Sequence, residues 1–514
     1  MNIIPKPRKF TVSDGQFLLE HEATIAWSGP GAQKIAELLA DYLSPATGFN
    51  LNLSEGSSGT IKLVAEGESS ADEAGFVDET YSLRVHKDGV ELSAPNATGL
   101  ARGIQTLRQL FPPSIFESSV QKTSWALPLI HIEDTPKFRW RGQHLDVCRH
   151  FFNVEEVCKF IDTLALHRLN ICHIHLTEDQ GWRIEIKQYP RLTEVGSVRK
   201  STLIGHHSQT PRCYDNQPYG GFYTQDDIKT IVQFASRRHI TLVPEIDMPG
   251  HMVAAITAYP ELGNFKSEVN VRCHWGISQQ ILNVEDATVD FMKNVLTEVM
   301  ELFPGQFIHI GGDEAPKHEW SESHRAQERM AQLQLKNEHE LQSWFIRQMG
   351  DHISSAGRRL IGWDEILEGG LAEGAAVMSW RGLEGGLAAA AQGNDVVMAP
   401  QQHLYFDYYQ DEKNKEYLAI GGMTKLDEVY SYHPIPEAMP ESQHHHVLGA
   451  QGQLWTEYMG SMDIVERMGF PRICALAELL WLDQDEKDYN NFLKRLIVHR
   501  KRLDALGLNT YPNP

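Results

Sequence analysis

Cysteine is scarce in this chain of 514 residues: there are six, and no C-x-x-C pair is among them. That excludes a disulfide-stapled scaffold and the common paired-cysteine metal and redox motifs. Half of the cysteines lie in strongly apolar segments, where a buried reduced thiol is the ordinary state; a pairing of Cys213 with Cys273 is left open. Long apolar runs are missing as well. No stretch approaches the roughly 18–20 residues that a membrane span needs, so no membrane partner is expected. Positive charge is in short supply, with 47 Lys and Arg against 68 Asp and Glu and a net charge of −21. Most of the surface then repels a nucleic-acid backbone, which is excluded as a partner. Internal repeats, low-complexity tracts, a G-x-S-x-G elbow, a glycine-rich phosphate loop, a dinucleotide fingerprint and an H-E-x-x-H pair are all absent. The opening residues, Met1-Asn-Ile-Ile-Pro-Lys-Pro-Arg-Lys-Phe10, break after two isoleucines and supply no apolar core for a secretory signal. A cytoplasmic place is the expectation, unless a removed leader was replaced by Met1, which would make the protein periplasmic or secreted.

What is present is material for a large core. Apolar residues make up 41% of the chain, with 11 Trp, 20 Phe and 16 Tyr, which excludes a disordered or fibrous polypeptide. The length points to two or three domains, one of them large enough for an α/β barrel. Over residues 1 to about 112, Tyr81-Ser-Leu-Arg-Val85 and Val90-Glu-Leu-Ser-Ala94 alternate with period two around Lys87-Asp88-Gly89, a hairpin pattern. Amphipathic runs at Ala32–Tyr42 and Leu100–Phe111 complete a small α+β unit. Residues 112–136 carry four prolines and little periodicity, and the domain junction is placed there, giving an α+β domain at 1–134 and a second domain at 135–514.

In the second domain eight short β-rich runs recur: His144–Val147, Ile171–Leu176, Ile240–Val243, Phe307–Ile310, Leu360–Trp363, Ala376–Trp380, Asp395–Met398 and Val447–Ala450. Amphipathic segments lie between several of them; the clearest starts at Asn153, with Glu156 three residues on as a capping box. Eight strands alternating with helices predict a (β/α)8 TIM barrel, an α/β architecture. Only 16 residues separate the start of the fifth run from that of the sixth, so an irregular connection is expected there.

Reactive groups of such a barrel belong at the carboxyl ends of its strands. There His309-Ile-Gly-Gly-Asp-Glu-Ala-Pro316 presents adjacent acids, Asp313 and Glu314. Two neighbouring carboxylates are tolerable when one is ionised and partnered and the other is held protonated, which suits an acid catalyst beside an anionic stabiliser. The alternative is a turn in which either acid caps the helix after Pro316. Trp363, Trp380 and Trp455 follow three later strands, and an aromatic wall with a few fixed polar groups is what a pyranose ring demands; packing in the core is their alternative role. Arg149 can bridge two hydroxyls or form a structural ion pair with Asp146. Asp407 and Glu457 are short-reach hydroxyl acceptors or solvated loop acids, and Tyr405 is a phenol donor or a packing residue. Glu178, Asp179, Asp247 and His251 stand near the mouth as supporting groups. His173, His175, His251, His309, Asp247 and Asp313 could be assembled into a metal site, but no ligand spacing supports one and no metal is expected.

Together, Leu145-Asp-Val-Cys-Arg-His-Phe, His175-Leu-Thr-Glu-Asp-Gln-Gly-Trp, Pro244-Glu-Ile-Asp-Met-Pro-Gly-His, His309-Ile-Gly-Gly-Asp-Glu and Gln453-Leu-Trp-Thr-Glu resemble the family 20 glycoside hydrolases, the β-N-acetylhexosaminidases, over nearly the whole chain. The resemblance implies Glu314 as general acid and base, and Asp313 as the group that orients the 2-acetamido substituent. It implies Tyr405 on the acetamido carbonyl, Trp363, Trp380 and Trp455 around the sugar, and Arg149, Asp407 and Glu457 on its hydroxyls. Glu178 and His251 would support Glu314; where many relatives have two aspartates this chain has Glu178-Asp179, which leaves open which acid reaches the histidine. The implied activity is exo-hydrolysis of terminal N-acetylglucosamine, with N-acetylgalactosamine as a further candidate, by substrate-assisted retention, with no cofactor, in a monomer or homodimer. A sugar-binding relative without turnover and a metal-dependent hydrolase are the competing readings.

Overall fold

The computed structural model describes residues 1–72, 74–265, 268–412 and 417–512. Strands β1 (Lys9–Leu18), β2 (Thr24–Ser28), β3 (Asn52–Glu55), β4 (Ile61–Ala65), β5 (Tyr81–His86), β6 (Gly89–Ala94) and β7 (Ala126–Asp134) form one mixed sheet in the order β1-β7-β5-β6-β4-β2-β3. The expected hairpin is β5–β6, paired antiparallel from Ser82 opposite Ser93 to His86 opposite Gly89. Both expected helices form, as α1 (Ala32–Thr47) and α2 (Ala97–Leu110), and they pack on the sheet and on each other. Asn96 starts α2 by accepting the N–H groups of Thr98 and Gly99, which satisfies two of the donors that a helix start leaves free.

One expectation needs correction. The stretch 112–136 is not simply a junction, because it contains β7, which pairs with both β1 and β5. Its apolar pattern is interrupted by Pro128, which lacks an N–H for the ladder. The register of β1 shifts between Ser13 and Gln16 where it passes Pro128 and Leu129, so a bulge absorbs the irregularity. The sheet ends at Asp134.

Eight parallel strands then close into a barrel: β8 (Trp140–Asp146), β9 (Ile171–His175), β10 (Thr241–Glu245), β11 (Phe307–His309), β12 (Arg359–Trp363), β13 (Ala376–Ser379), β14 (Val396–Met398) and β15 (Val447–Gly452). Each coincides with one of the eight expected runs. The strands are almost wholly buried, as in any sheet whose inner face packs on itself and whose outer face carries helices. Helix α3 (Val154–Leu166) begins with the Asn153–Glu156 capping box. Between β12 and β13 the chain makes a single 3-10 turn, Asp364–Leu367, the irregular connection expected from the short interval. Phe76 of the first domain reaches the amino end of the barrel, 6.3 Å from the rings of both Trp140 and Phe307. Beside it Glu79 pairs with Arg102 of α2 and Arg141 of β8, all three buried. All six cysteines are free thiols, Cys213 exposed and Cys148, Cys158, Cys172 and Cys474 buried. None of the helices of the described residues is long and apolar enough to cross a membrane.

Candidate active site

The carboxyl ends of the barrel strands surround a cavity of about 240 Å³. Arg149, Glu178, Asp247, His251, Asp313, Glu314, Trp363, Trp380, Tyr405, Asp407, Trp455 and Glu457 all line it. Of the candidate residues only Asp179 does not. It binds Arg272 at 2.8 Å and accepts the N–H of Val253, which makes it a loop anchor behind the wall.

The chain after β11 turns on Gly311 and Gly312, at φ 65° and 95°. A side chain at Gly311 would run into the Asp247 carboxylate, and Asp247 Oδ1 accepts the N–H of Gly312 at 3.1 Å. Asp247 therefore braces the turn that delivers the acid pair. Glu314 itself sits at φ 44°, a left-handed conformation costing a non-glycine residue ~1–3 kcal/mol. Neither acid caps the helix that follows, since His318–Glu322 starts at Lys317 without any side-chain cap. The capping alternative is thereby removed. Asp313 is nearly enclosed, whereas Glu314 leaves 33% of its side chain open.

His251 stands beside both acids, its Nε2 3.5 Å from Glu314 and 3.7 Å from Asp313. Its Nδ1 donates to Glu178 at 2.7 Å, so of the two neighbouring candidates it is Glu178 that reaches the histidine. Burial works against a charge on His251, but Glu178, Glu314 and Asp247 outweigh it and hold the ring's pKa well above the usual histidine value. Glu178 is also 3.0 Å from Arg149 and 3.1 Å from His175; burial opposes its ionisation, yet Arg149 and His251 keep it well below the ordinary carboxylate range. Arg149 joins Asp146 at 3.2 Å and lies 5.1 Å from the Trp455 ring. The structural ion pair and the place in the cavity wall are thus both realised.

The opposite trend holds for the acids with fewer partners. Burial raises Asp313 well above the usual range, with Asp247 and Glu314 adding to the effect, and pushes Asp247 up to about 7. Burial, with the nearby Glu457, does the same to Asp407. Asp313 Oδ1, Asp407 Oδ1 and Glu457 Oε2 are buried and meet no donor among the described residues. Unpaired buried acceptors are costly, and a sugar's N–H and O–H groups are the donors that would complete them.

The three tryptophans form the wall. Trp363 and Trp455 have ring centroids 5.8 Å apart, and Trp380 stacks on Tyr405 at 6.1 Å. Two are pinned by acids to which the sequence attaches no role: Trp363 Nε1 donates to Glu245 at 2.8 Å and Trp380 Nε1 to Glu365 at 2.9 Å. Burial, Asp313 and Asp364 push Glu365 up to about 8. The signal for both was an acid at or just after the end of a barrel strand, Glu245 closing β10 and Glu365 two residues past β12. His207, Ile277, Gln401, Tyr408 and Ile420 complete the rim; they come from loops with no comparable pattern. Trp455→Ala is expected to lower kcat/KM for a disaccharide by about tenfold or more, because the wall holds the ring in ground and transition states alike. Unchanged kinetics would assign Trp455 to packing alone.

Some acids and histidines near the cavity lie close enough together to share an ion. His175, Glu245 and Asp247 offer ligand atoms within 4.8 Å of one another, as do Glu178, Asp179 and His251. Most of these atoms are already engaged: His175 with Glu245 and Glu178, His251 with Glu178, and Asp179 with Arg272.

Comparison with known proteins bears on the same residues. The description of the glycosyl hydrolase family 20 catalytic domain matches residues 138–484, and that of the family's domain 2 matches residues 1–135. The chain belongs to glycosyl hydrolase family 20. A β-hexosaminidase of Porphyromonas gingivalis is 44% identical over 511 residues, 99% of this chain and 64% of the relative. The chain thus spans less than two thirds of that protein's length. A β-N-acetylhexosaminidase of Cellulomonas fimi is 30% identical, with 100% of this chain and 96% of the relative aligned. Among solved structures, the family 20 β-N-acetylhexosaminidase of Streptomyces coelicolor A3(2) superposes with a TM-score of 0.85 at 31% identity, covering 100% of this chain and 98% of its own. An exo β-N-acetylglucosaminidase of Vibrio harveyi, in complex with N-acetylglucosamine, gives 0.84 at 32% identity over 99% of this chain and 78% of its own.

Proposed function

We propose that this family 20 chain is an exo-acting β-N-acetylhexosaminidase that releases terminal N-acetylglucosamine from β-linked glycosides by substrate-assisted retention, with N-acetylgalactosamine as a second substrate. The observation that carries this reading is the adjacent pair Asp313–Glu314, one nearly enclosed and one open, at the rim of a tryptophan-walled cavity. Ordinary retaining glycosidases place an acid and a nucleophile on opposite sides of the scissile bond. Here both carboxylates come from one turn, which suits an acid and an orienting group better than an acid and a nucleophile. The acetamido oxygen of the substrate then attacks the anomeric carbon while Glu314 protonates the departing oxygen. Asp313 accepts the acetamido N–H and balances the positive charge that forms there. Water, deprotonated by Glu314, opens the cyclic intermediate. Tyr405 donates its phenol to the acetamido oxygen, and Asp407, Glu457 and Arg149, all lining the cavity, take the ring hydroxyls.

A panel of aryl β-glycosides with and without the 2-acetamido group tests the reading: N-acetylglucosaminides should turn over and plain glucosides should not. Turnover should also survive exhaustive EDTA treatment, since no step above uses a Lewis acid. Loss of activity on chelation, restored by zinc or manganese, would favour a metal-dependent hydrolase built on the His175 or Glu178 clusters.

A further inference from the structure

We propose that Glu245, at the end of β10, is a positioning residue for catalysis: one buried carboxylate that fixes both the histidine row behind Glu314 and the Trp363 wall of the sugar site. The barrel register brings its partners together. Asp146 of β8 lies opposite His175 of β9, His175 opposite Glu245, and Glu245 opposite His309 of β11, so four adjacent strands set polar residues in one row at their carboxyl ends. Glu245 has no exposed surface. A carboxylate in that position is tolerated only when its charge and lone pairs are met.

Two hydrogen bonds meet them, from His175 Nδ1 at 2.6 Å to Oε2 and from Trp363 Nε1 at 2.8 Å to Oε1, while His173 Nε2 lies close at 3.1 Å without the alignment of a hydrogen bond. The hydrogen bonds fix which nitrogens carry protons. Gln451 donates its amide N–H to His173 Nδ1, which leaves the His173 proton on Nε2. His309 Nδ1 is 3.1 Å away but already accepts the N–H of Gly311, so it donates no hydrogen bond to Glu245. His175 faces a carboxylate at each nitrogen, Glu245 at Nδ1 and Glu178 at Nε2; both positions must be protonated, and the ring is a cation. The other titratable neighbours are Asp247, two residues past the end of β10, and Asp146 and His144 of β8, the last held well below the usual histidine value by its burial.

The result is a buried row of alternating charge running from the barrel axis to the cavity: Glu245, His175, Glu178, His251 and then Glu314. Arg149 adds a second cation at Glu178. When Glu314 gives up its proton it becomes an anion 3.5 Å from His251, and a fixed imidazolium there offsets the new charge. His251 is held by Glu178, Glu178 in part by His175, and His175 by Glu245. Removing the charge of Glu245 releases the Nδ1 proton of His175 and weakens each later link, so the step that suffers is proton donation to the leaving group.

This proposal rests on the reading of Glu314 as the acid, and the experiment separates the two. Glu245→Gln keeps the shape and can still accept from Trp363 while its amide faces a neutral His175. We expect kcat/KM on a substrate with a poor leaving group to fall ~10–10²-fold, an activated aryl N-acetylglucosaminide to lose only a few-fold, and KM to stay within a few-fold. Trp363→Phe, which cuts only the wall branch, should instead lower both substrates alike. An equal loss on both leaving groups in Glu245→Gln, like that of Trp363→Phe, or a loss confined to KM, overturns the proposal. If Glu245→Gln does not fold by circular dichroism, His175→Gln carries the same leaving-group test with the same deciding outcomes. Should Glu314→Gln itself lack leaving-group dependence, the reading of the acid fails and this proposal with it; a null result in Glu245→Gln alone sinks only the role of Glu245.

Discussion

Glu314→Gln is expected to lower turnover of a disaccharide by a factor on the order of 10² or more, and that of an activated aryl glycoside by much less. A sugar alkoxide is a poor leaving group and departs only as it is protonated, whereas an acidic phenol leaves largely unaided. The geometry makes Glu314 the acid of the pair: it keeps 33% of its side chain open to the rim, with His251 at 3.5 Å. Asp313, beside it, is enclosed and meets Asp247 and Glu365 as electrostatic neighbours. Steady-state kinetics on substrates of graded leaving-group acidity checks the assignment. Disaccharide turnover within a few-fold of the parent would mean that another group delivers the proton.

The barrel was readable because each of its strands is a short β-rich run that ends in polar residues, and the register of a closed parallel barrel then sends those ends to one mouth. Asp313, Glu314, the three tryptophans and Tyr405 could be nominated from their place just after such runs. The first-domain strands β1 and β7 were not readable in the same way: β1 is exposed along nearly its whole length, with Phe10 and Val12 facing solvent, and β7 is broken by Pro128. The short alternation Lys9-Phe-Thr-Val-Ser13 thus marks no buried face, and in β7 the Pro128 break and the Leu129–Ile130 doublet interrupt the alternation that marks a half-buried strand. Convergence was the other hidden quantity. Glu178 and Asp179 are equivalent as sequence, and only the turn after β9 aims one at His251 and the other at Arg272. Glu245 looks like an ordinary acid at a strand end, and its partners His175 and Trp363 are 70 and 118 residues away. Residue type and spacing give candidates; which of them touch depends on register and on turns.

Asp313→Asn should impair cleavage as strongly as loss of the acid while the sugar still binds, since a neutral amide keeps the volume but cannot balance the charge that builds on the acetamido nitrogen. Burial already holds Asp313 well above the ordinary carboxylate range, which fixes the sign of the pH dependence. The group works as an anion, so kcat/KM should fall as the pH drops through its raised pKa, and that acid limb should sit above the normal carboxylate region. Arrival of the substrate N–H on the unpartnered Oδ1 favours the charged form, so the limb should move to lower pH in kcat. Because the nucleophile belongs to the substrate, β-glucosides with a plain 2-hydroxyl should be essentially inert, and a fused thiazoline mimic of the cyclic intermediate should bind far more tightly than the product sugar. Two inversions at the anomeric carbon make the first-formed product the β anomer. Proton NMR of the nascent sugar and intact-protein mass spectrometry decide the matter: an α anomer, or a sugar trapped covalently on any residue, rules out attack by the acetamido group and would require a nucleophile from the protein or water.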